Sequence, residues 1–255
     1  MRKYLIGVIA CLVGALTFPS IGSADTTALT ITSPVTPSKQ DKKVRGGVST
    51  VFTSTDTHAG VLGCANALSC YAFPPSTNAL VTFPSDFKFD PGTLQDCPLG
   101  SLTGKGTASA MAACPRSIVG GGTNVQGFSD GRKINGVITA FNGTPVGGNP
   151  SLYLHVDLPG VASKPILNGV FRGNSLSVAI PPVPGSVIEN FSTSINRIVT
   201  RKRKNKRTGK VKKTFYLSAK CSTGTWTTTE TVTYQGGIKT LTDSTSSKCT
   251  KKKKK

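Results

Sequence analysis

Acid is scarce in this chain of 255 residues: 11 Asp and Glu stand against 31 Lys and Arg, and only Glu189 and Glu230 are glutamates. A glycosidase needs two carboxyls on one cleft, about 5 to 9.5 Å apart, so few pairs are on offer. Beyond the N-terminal segment no stretch carries a 3.6-residue hydrophobic period, which excludes a helical bundle. Long apolar runs are lacking too. The one at positions 4–18 has 15 residues, whereas a bilayer-spanning helix takes roughly 20. The most basic stretch, 201–213, contains no aromatic side chain to stack on a nucleic-acid base, and a sequence-specific nucleic-acid role is not expected.

Turn formers and β-formers take the place of helix formers. There are 28 Gly and 16 Pro, with abundant Ser, Thr and Val, a composition that favours extended chain. Residues 152–158 alternate strictly, with Leu152, Leu154, Val156 and Leu158 on one face and Tyr153, His155 and Asp157 on the other, as in a strand with one face in the core and one in water. Residues 48–54, 79–83, 134–141, 166–171 and 176–180 read as strands as well. A long hairpin is expected from Phe191, Ile195 and Val199 to Phe215, Leu217 and Cys221. The loop at 142–150 looks long enough to reach over one end of the fold and meet a partner. The sequence therefore predicts an all-β protein, an antiparallel β-sandwich of jelly-roll or Ig-like type over residues 48–250, with a short helical turn near 105–113.

Residues 1–24 have Arg2 and Lys3, an apolar core and small residues ending in Ala24, the layout of a secretory signal peptide. Its removal lowers the net charge from +20 to +18 and leaves no transmembrane anchor. Residues 25–47, rich in Thr, Ser, Pro and Lys, read as a flexible linker with a short strand at 28–32. Six cysteines remain in the exported chain and allow 15 connectivities. Nearest-neighbour pairing gives Cys64–Cys70, Cys97–Cys114 and Cys221–Cys249. The spacings miss the two-residue ligand pairs of structural zinc sites.

Several motifs promise chemistry that their context withholds. Asp86, Asp90 and Asp96 are too irregularly spaced for a calcium loop and read as turn-capping side chains. Gly104-Lys105-Gly106 lacks the first glycine and the final Ser or Thr of a phosphate loop. Residues 127–131 match G-x-S-x-G around Ser129, but the nucleophile of a hydrolase needs a helix after it. Here Asp130-Gly131 is a hairpin signal leading into a strand. Asp157, Glu189 and Glu230 are the acids a carbohydrate-active enzyme of sandwich fold would use. Thr225, Thr227, Thr229, Thr231 and Thr233 share one face of a strand and read as solvent-facing, while Trp226 reads as core with a sugar-stacking platform as the alternative. The Asn190-Phe191-Ser192 sequon applies only to a eukaryotic secretory route. No cofactor or metal is expected.

Residues 136–143, 152–160 and 178–184, with the segment running from Cys221 to Trp226, resemble a set of secreted actinobacterial proteins: Cys-containing β-rich chains, often with a Lys-rich end. The resemblance implies export and a β-rich fold and transfers no functional residue.

The basic features stand out most. Arg201, Lys202, Arg203, Lys204, Lys206, Arg207, Lys210, Lys212 and Lys213 lie in 13 positions without an acid, and the chain ends in a Lys tail at 251–255. Such a charge run attracts polyanions through counterion release. Anionic envelope polymers are the expected partners of a non-enzymatic protein that is secreted or held at the cell wall.

Overall fold

The computed structural model describes residues 26–59, 75–128, 130–197, 203–204, 211–212, 215–237 and 239–251. Eleven strands dominate it: β1 (Thr26–Thr32), β2 (Ser49–Ala59), β3 (Ser76–Thr82), β4 (Ile118–Phe128), β5 (Lys133–Val146), β6 (Asn149–Asp157), β7 (Ile166–Arg172), β8 (Ser175–Ala179), β9 (Ser186–Ile195), β10 (Thr225–Tyr234) and β11 (Thr240–Lys248). They form one sheet in the order β1-β2-β9-β4-β5-β6-β7-β8-β3-β10-β11, and every neighbouring pair is antiparallel. The end strands β1 and β11 lie against each other, so the sheet is nearly closed into a barrel. The expected two-sheet sandwich is therefore corrected to a single curled sheet. Period-2 alternation specifies one buried face and is the same for both architectures.

Two local features let the sheet curl. At Gly120 and Gly122, β4 runs so close to β9 that a Cβ would meet Ser194 O at 1.7 Å and Ser192 O at 1.8 Å. Farther along the same pair, beside Val125 and Gln126, the register of β9 slips between Ile188 and Asn190, a bulge that bends the strand. β5 and β6 turn through Gly147 and Gly148, both at positive φ, as a two-residue hairpin loop requires. This replaces the long presenting loop expected at 142–150. Asn142, placed in that loop by the sequence, is a buried strand residue.

The segment 25–47, expected as a linker, supplies β1 and core residues Ile31 and Val35. Its later part pairs again, with Lys39–Gln40 beside Thr250–Lys251 and Gly46–Gly47 beside Leu217–Ala219. The latter strand also pairs with Phe87–Phe89. This small sheet closes one end of the barrel, where Phe83, Phe87, Phe89 and Tyr216 pack with Phe171 and Trp226. Cys221–Cys249 staples the same end.

A second layer covers part of the outside. Residues 90–117 contain helix α1 (Thr107–Ala113) and the Cys97–Cys114 disulfide, and they pack Leu102 and Ala110 on Phe141 and Tyr153. Hence β6 is buried on both faces, and its polar residues meet protein instead of water. His155 donates from Nε2 to Lys105 O at 2.6 Å. Asp157 accepts from Thr107 N at 2.8 Å and pairs with Lys164 at 2.6 Å.

Candidate functional site: the barrel interior

One cavity dominates the interior, with room of about 80 Å³ for the centres of water molecules. Phe52 of β2, Val81 of β3, Leu154 of β6, Leu176 of β8, Phe191 of β9 and Val232 of β10 all line it, so it is the lumen of the barrel. Eight strands give an interior that side chains just fill, and eleven enclose more. One water needs about 10 to 15 Å³ on this measure, so the lumen has the volume of roughly five to eight waters. An aliphatic chain of about six to eight carbons takes up similar space. An apolar lining of this kind stays dry.

A smaller cavity of about 20 Å³ adjoins it, sharing Ser76, Leu167, Ile180, Ile188 and Phe191. It reaches the surface at the exposed Pro181 and Pro182, next to Pro75 and Pro165. This is the end of the barrel opposite the aromatic plug. Here the lining includes three buried polar residues, Asn124, Gln126 and Ser186. Their donors run one way: Ser186 Oγ to Val183 O at 2.8 Å, Gln126 Nε2 to Ser186 Oγ at 2.8 Å, and Asn124 Nδ2 to Gln126 Oε1 at 3.2 Å. Asn124 Oδ1 is buried and accepts no hydrogen bond. Sequence reasoning missed this trio. The signal was the alternation Asn124, Gln126, Phe128 on the inward face of β4, which shows only once residues 118–128 are known to be a strand.

The opposite wall is polar and self-satisfied. No ladder joins β1 to β11 among the described residues; instead Ile31 N donates to Asp243 Oδ2 at 2.9 Å. Inside, side chains link β10 to β2 across those two strands. Ser54 Oγ donates to Glu230 Oε2 at 2.6 Å, and Tyr234 OH donates to Asp56. Thr228 Oγ1 donates to Ser33 Oγ at 3.3 Å, and that hydroxyl lies 3.3 Å from Thr50 Oγ1. Glu230 is 3% exposed. Burial pushes its carboxyl up to about 7, against the Ser54 hydrogen bond, with Asp56 and Asp243 adding repulsion.

The three acids suggested by the sequence do not share a cleft. Asp157 lies outside the lumen, under the 90–117 insert, where the Lys164 ammonium and the Thr107 N–H hold it down to about 2. Glu230 is buried on β10 against Ser54 and is not among the residues lining the lumen. Glu189, at the β9 bulge, pairs with Lys133 at 2.6 Å. Asp86 accepts from Ser222 N and Oγ at 2.8 and 2.6 Å, and Asp96 accepts from Asn142 Nδ2 at 2.8 Å, so both tie loops to the barrel. Trp226 is buried, donates to Lys220 O at 2.9 Å and meets Phe87 edge-on, which corrects its alternative reading as a sugar platform. The Thr face of β10 is outward, pairing hydroxyls with β11 at Thr227–Ser246, Thr229–Ser244 and Thr231–Thr242. A strand, β5, follows Gly131, where a nucleophile elbow would need a helix.

Of the cationic stretch, Arg203 and Lys204 pair with Lys212 and Val211 in a two-stranded ladder. Arg201, Lys202, Lys206, Arg207, Lys210 and Lys213 lie outside the described residues, as do positions 1–24, Cys64, Cys70, Ser129 and the tail at 252–255. The two disulfides that are described indicate an extracytoplasmic compartment. Among the described residues no helix is long and apolar enough to cross a membrane. No family model, curated protein or solved structure matches the chain.

Proposed function

We propose that this protein is an exported, non-enzymatic binding protein whose barrel takes up a small apolar molecule. The observation that carries this reading is the lumen: a cavity of about 80 Å³ walled by aliphatic and aromatic side chains from strands all around the sheet. A pocket that is largely apolar, with a few polar groups converging at one end, is the usual form of a small-molecule site. The outer face, hydroxylic along β10 and β11, is the reverse of a bilayer-spanning barrel, which is apolar outside.

Calorimetry with butylbenzene tests the reading. One saturable site per chain is expected, together with a rise in Tm, because a ligand that binds only the folded state stabilises it. Val178→Phe, which places a ring in the lumen, should abolish that heat while the chain remains folded. Absence of saturable binding to the unaltered chain would remove the reading.

A second reading rests on a separate feature, the nine basic residues at 201–213. These residues and the Lys tail hold the protein to anionic envelope polymers by charge. Retention on isolated cell walls should then fall steeply between 50 and 200 mM salt, on the order of a thousandfold. Deleting 201–213 and 251–255 should abolish the salt dependence. Unchanged retention would refute the idea.

A further inference from the structure

The small cavity at the proline rim has its own chemistry, and it bears on what the lumen holds. We propose that Asn124 receives the hydroxyl end of a neutral aliphatic alcohol of about six to eight carbons, its chain lying in the lumen. This rests on the reading of the barrel as an apolar binder.

Size fits first. The niche has about 20 Å³ for the centres of water molecules, which is room for one or two waters and hence for one hydroxyl group. It adjoins the lumen, with Leu167, Ile180 and Phe191 lining both, so a molecule that spans the two would lie against these side chains.

Polarity decides the head group. The Ser186 hydroxyl donates to Val183 O, which makes it an acceptor towards Gln126 and sets that amide with its nitrogen facing the serine. Gln126 Oε1 then faces Asn124 and takes a hydrogen from Nδ2. The relay leaves Asn124 Oδ1 as the buried acceptor without a donor, and such an oxygen calls for an O–H or N–H. The Asn124 amide fits there because its partner on β5 is Gly136, where a Cβ would lie 2.1 Å from Oδ1.

Charge excludes the alternatives. The titratable side chains lining the two cavities are Asp56 and Glu189, both carboxylic acids. A fatty carboxylate would enter without a cation and beside like charge, which is strongly unfavourable in a low-dielectric site. A primary ammonium would find Glu189 already paired with Lys133 and Asp56 accepting from Tyr234. A neutral donor is what remains.

The test is calorimetry on the full chain at pH 7.5 with 1-octanol, octanoate and octylamine, alongside butylbenzene. Octanol is expected to bind at least tenfold tighter than octanoate or octylamine. Asn124→Leu should lower octanol affinity about tenfold, the effect of one hydrogen bond, and leave butylbenzene affinity unchanged, which also reports that the variant folds. The ranking on the unaltered chain does not depend on that variant. If octanoate or octylamine equals octanol while butylbenzene binds, the head-group assignment is wrong and the barrel reading stands. If butylbenzene fails to bind as well, both are wrong.

Discussion

Glu230→Gln is the substitution that most directly tests how the seam of the barrel is held. In the folded protein the Glu230 carboxyl lies among Ser54, Asp56 and Asp243 and keeps its proton up to about pH 7, against an ordinary value of 4.5. Between those two values the folded chain binds a proton that the unfolded chain has released, so stability falls as pH rises through that window. A shift of about 2.5 units corresponds to about 3 kcal/mol. Glutamine keeps an oxygen for the Ser54 hydroxyl and carries no charge, so it imitates the protonated acid at every pH.

Urea unfolding at a series of pH values from 4.5 to 8 reads the difference. Near pH 4.5 the two proteins should be of similar stability. By pH 8 the variant should be more stable by about 3 kcal/mol, a gap of roughly 6 to 12 °C in Tm for a domain of this size. Other titrating groups act on both proteins and cancel in the comparison. Parallel curves across the range, or a variant that is weaker at pH 8, would refute the assignment of a buried, protonated Glu230.

Three further outcomes follow from other parts of the fold. Asp157 titrates with the opposite sign: its depressed pKa contributes stability that is complete above pH 4 and lost as pH falls through 2. Asp157→Asn should therefore cost about 2 kcal/mol at pH 6 and almost nothing at pH 2 by thermal unfolding. Replacing Cys221 and Cys249 together by Ser opens a loop with a sequence separation of 28, and chemical denaturation should register a loss of about 3 to 4 kcal/mol in the chain-entropy model. Gly122→Val should leave little folded protein in expression and circular dichroism tests, because the added carbons meet the backbone of β9 at Ser192; a stable, native variant would show that β4 and β9 are not so tightly apposed.

Strands were legible in the sequence where alternation is regular, even when the inward face carries a Thr or a Glu. The inward set Trp226, Thr228, Glu230, Val232 and Tyr234 on β10 is placed as its alternation predicts. Alternation fails where a polar side chain docks on protein. On β6, Tyr153, His155 and Asp157 look solvent-facing because nothing local distinguishes a partner in the 90–117 insert from water. β1 was read only as a short strand at 28–32 within a linker, because its composition is Thr-rich and only Leu29 and Ile31 turn inward. The hairpin at Gly147-Gly148 did carry a signal, two adjacent glycines between extended runs, but Pro145 and Pro150 made the stretch read as loop. Barrel closure was beyond the sequence: it depends on the close approach at Gly120 and Gly122 and on side-chain links between residues as distant as Ile31 and Asp243.

The cavity was illegible for a more general reason. Its lining uses the same residues that fill a packed core, and what differs is the volume they leave. Val81 on β3, Val178 on β8 and Val232 on β10 all border the void, at positions where a larger aliphatic side chain would reduce it. An apolar void of about 80 Å³ forgoes contacts worth about 2 kcal/mol at the cavity cost measured in core truncations. The barrel tolerates this because its closure is maintained elsewhere, by the aromatic plug and the Cys221–Cys249 staple at one end and by the polar column along the seam. A molecule that fills the lumen would restore the missing contacts without altering any of those fastenings. Occupancy is therefore expected to raise the unfolding temperature while leaving the seam's pH dependence unchanged, and a ligand that shifted both would have to touch Glu230.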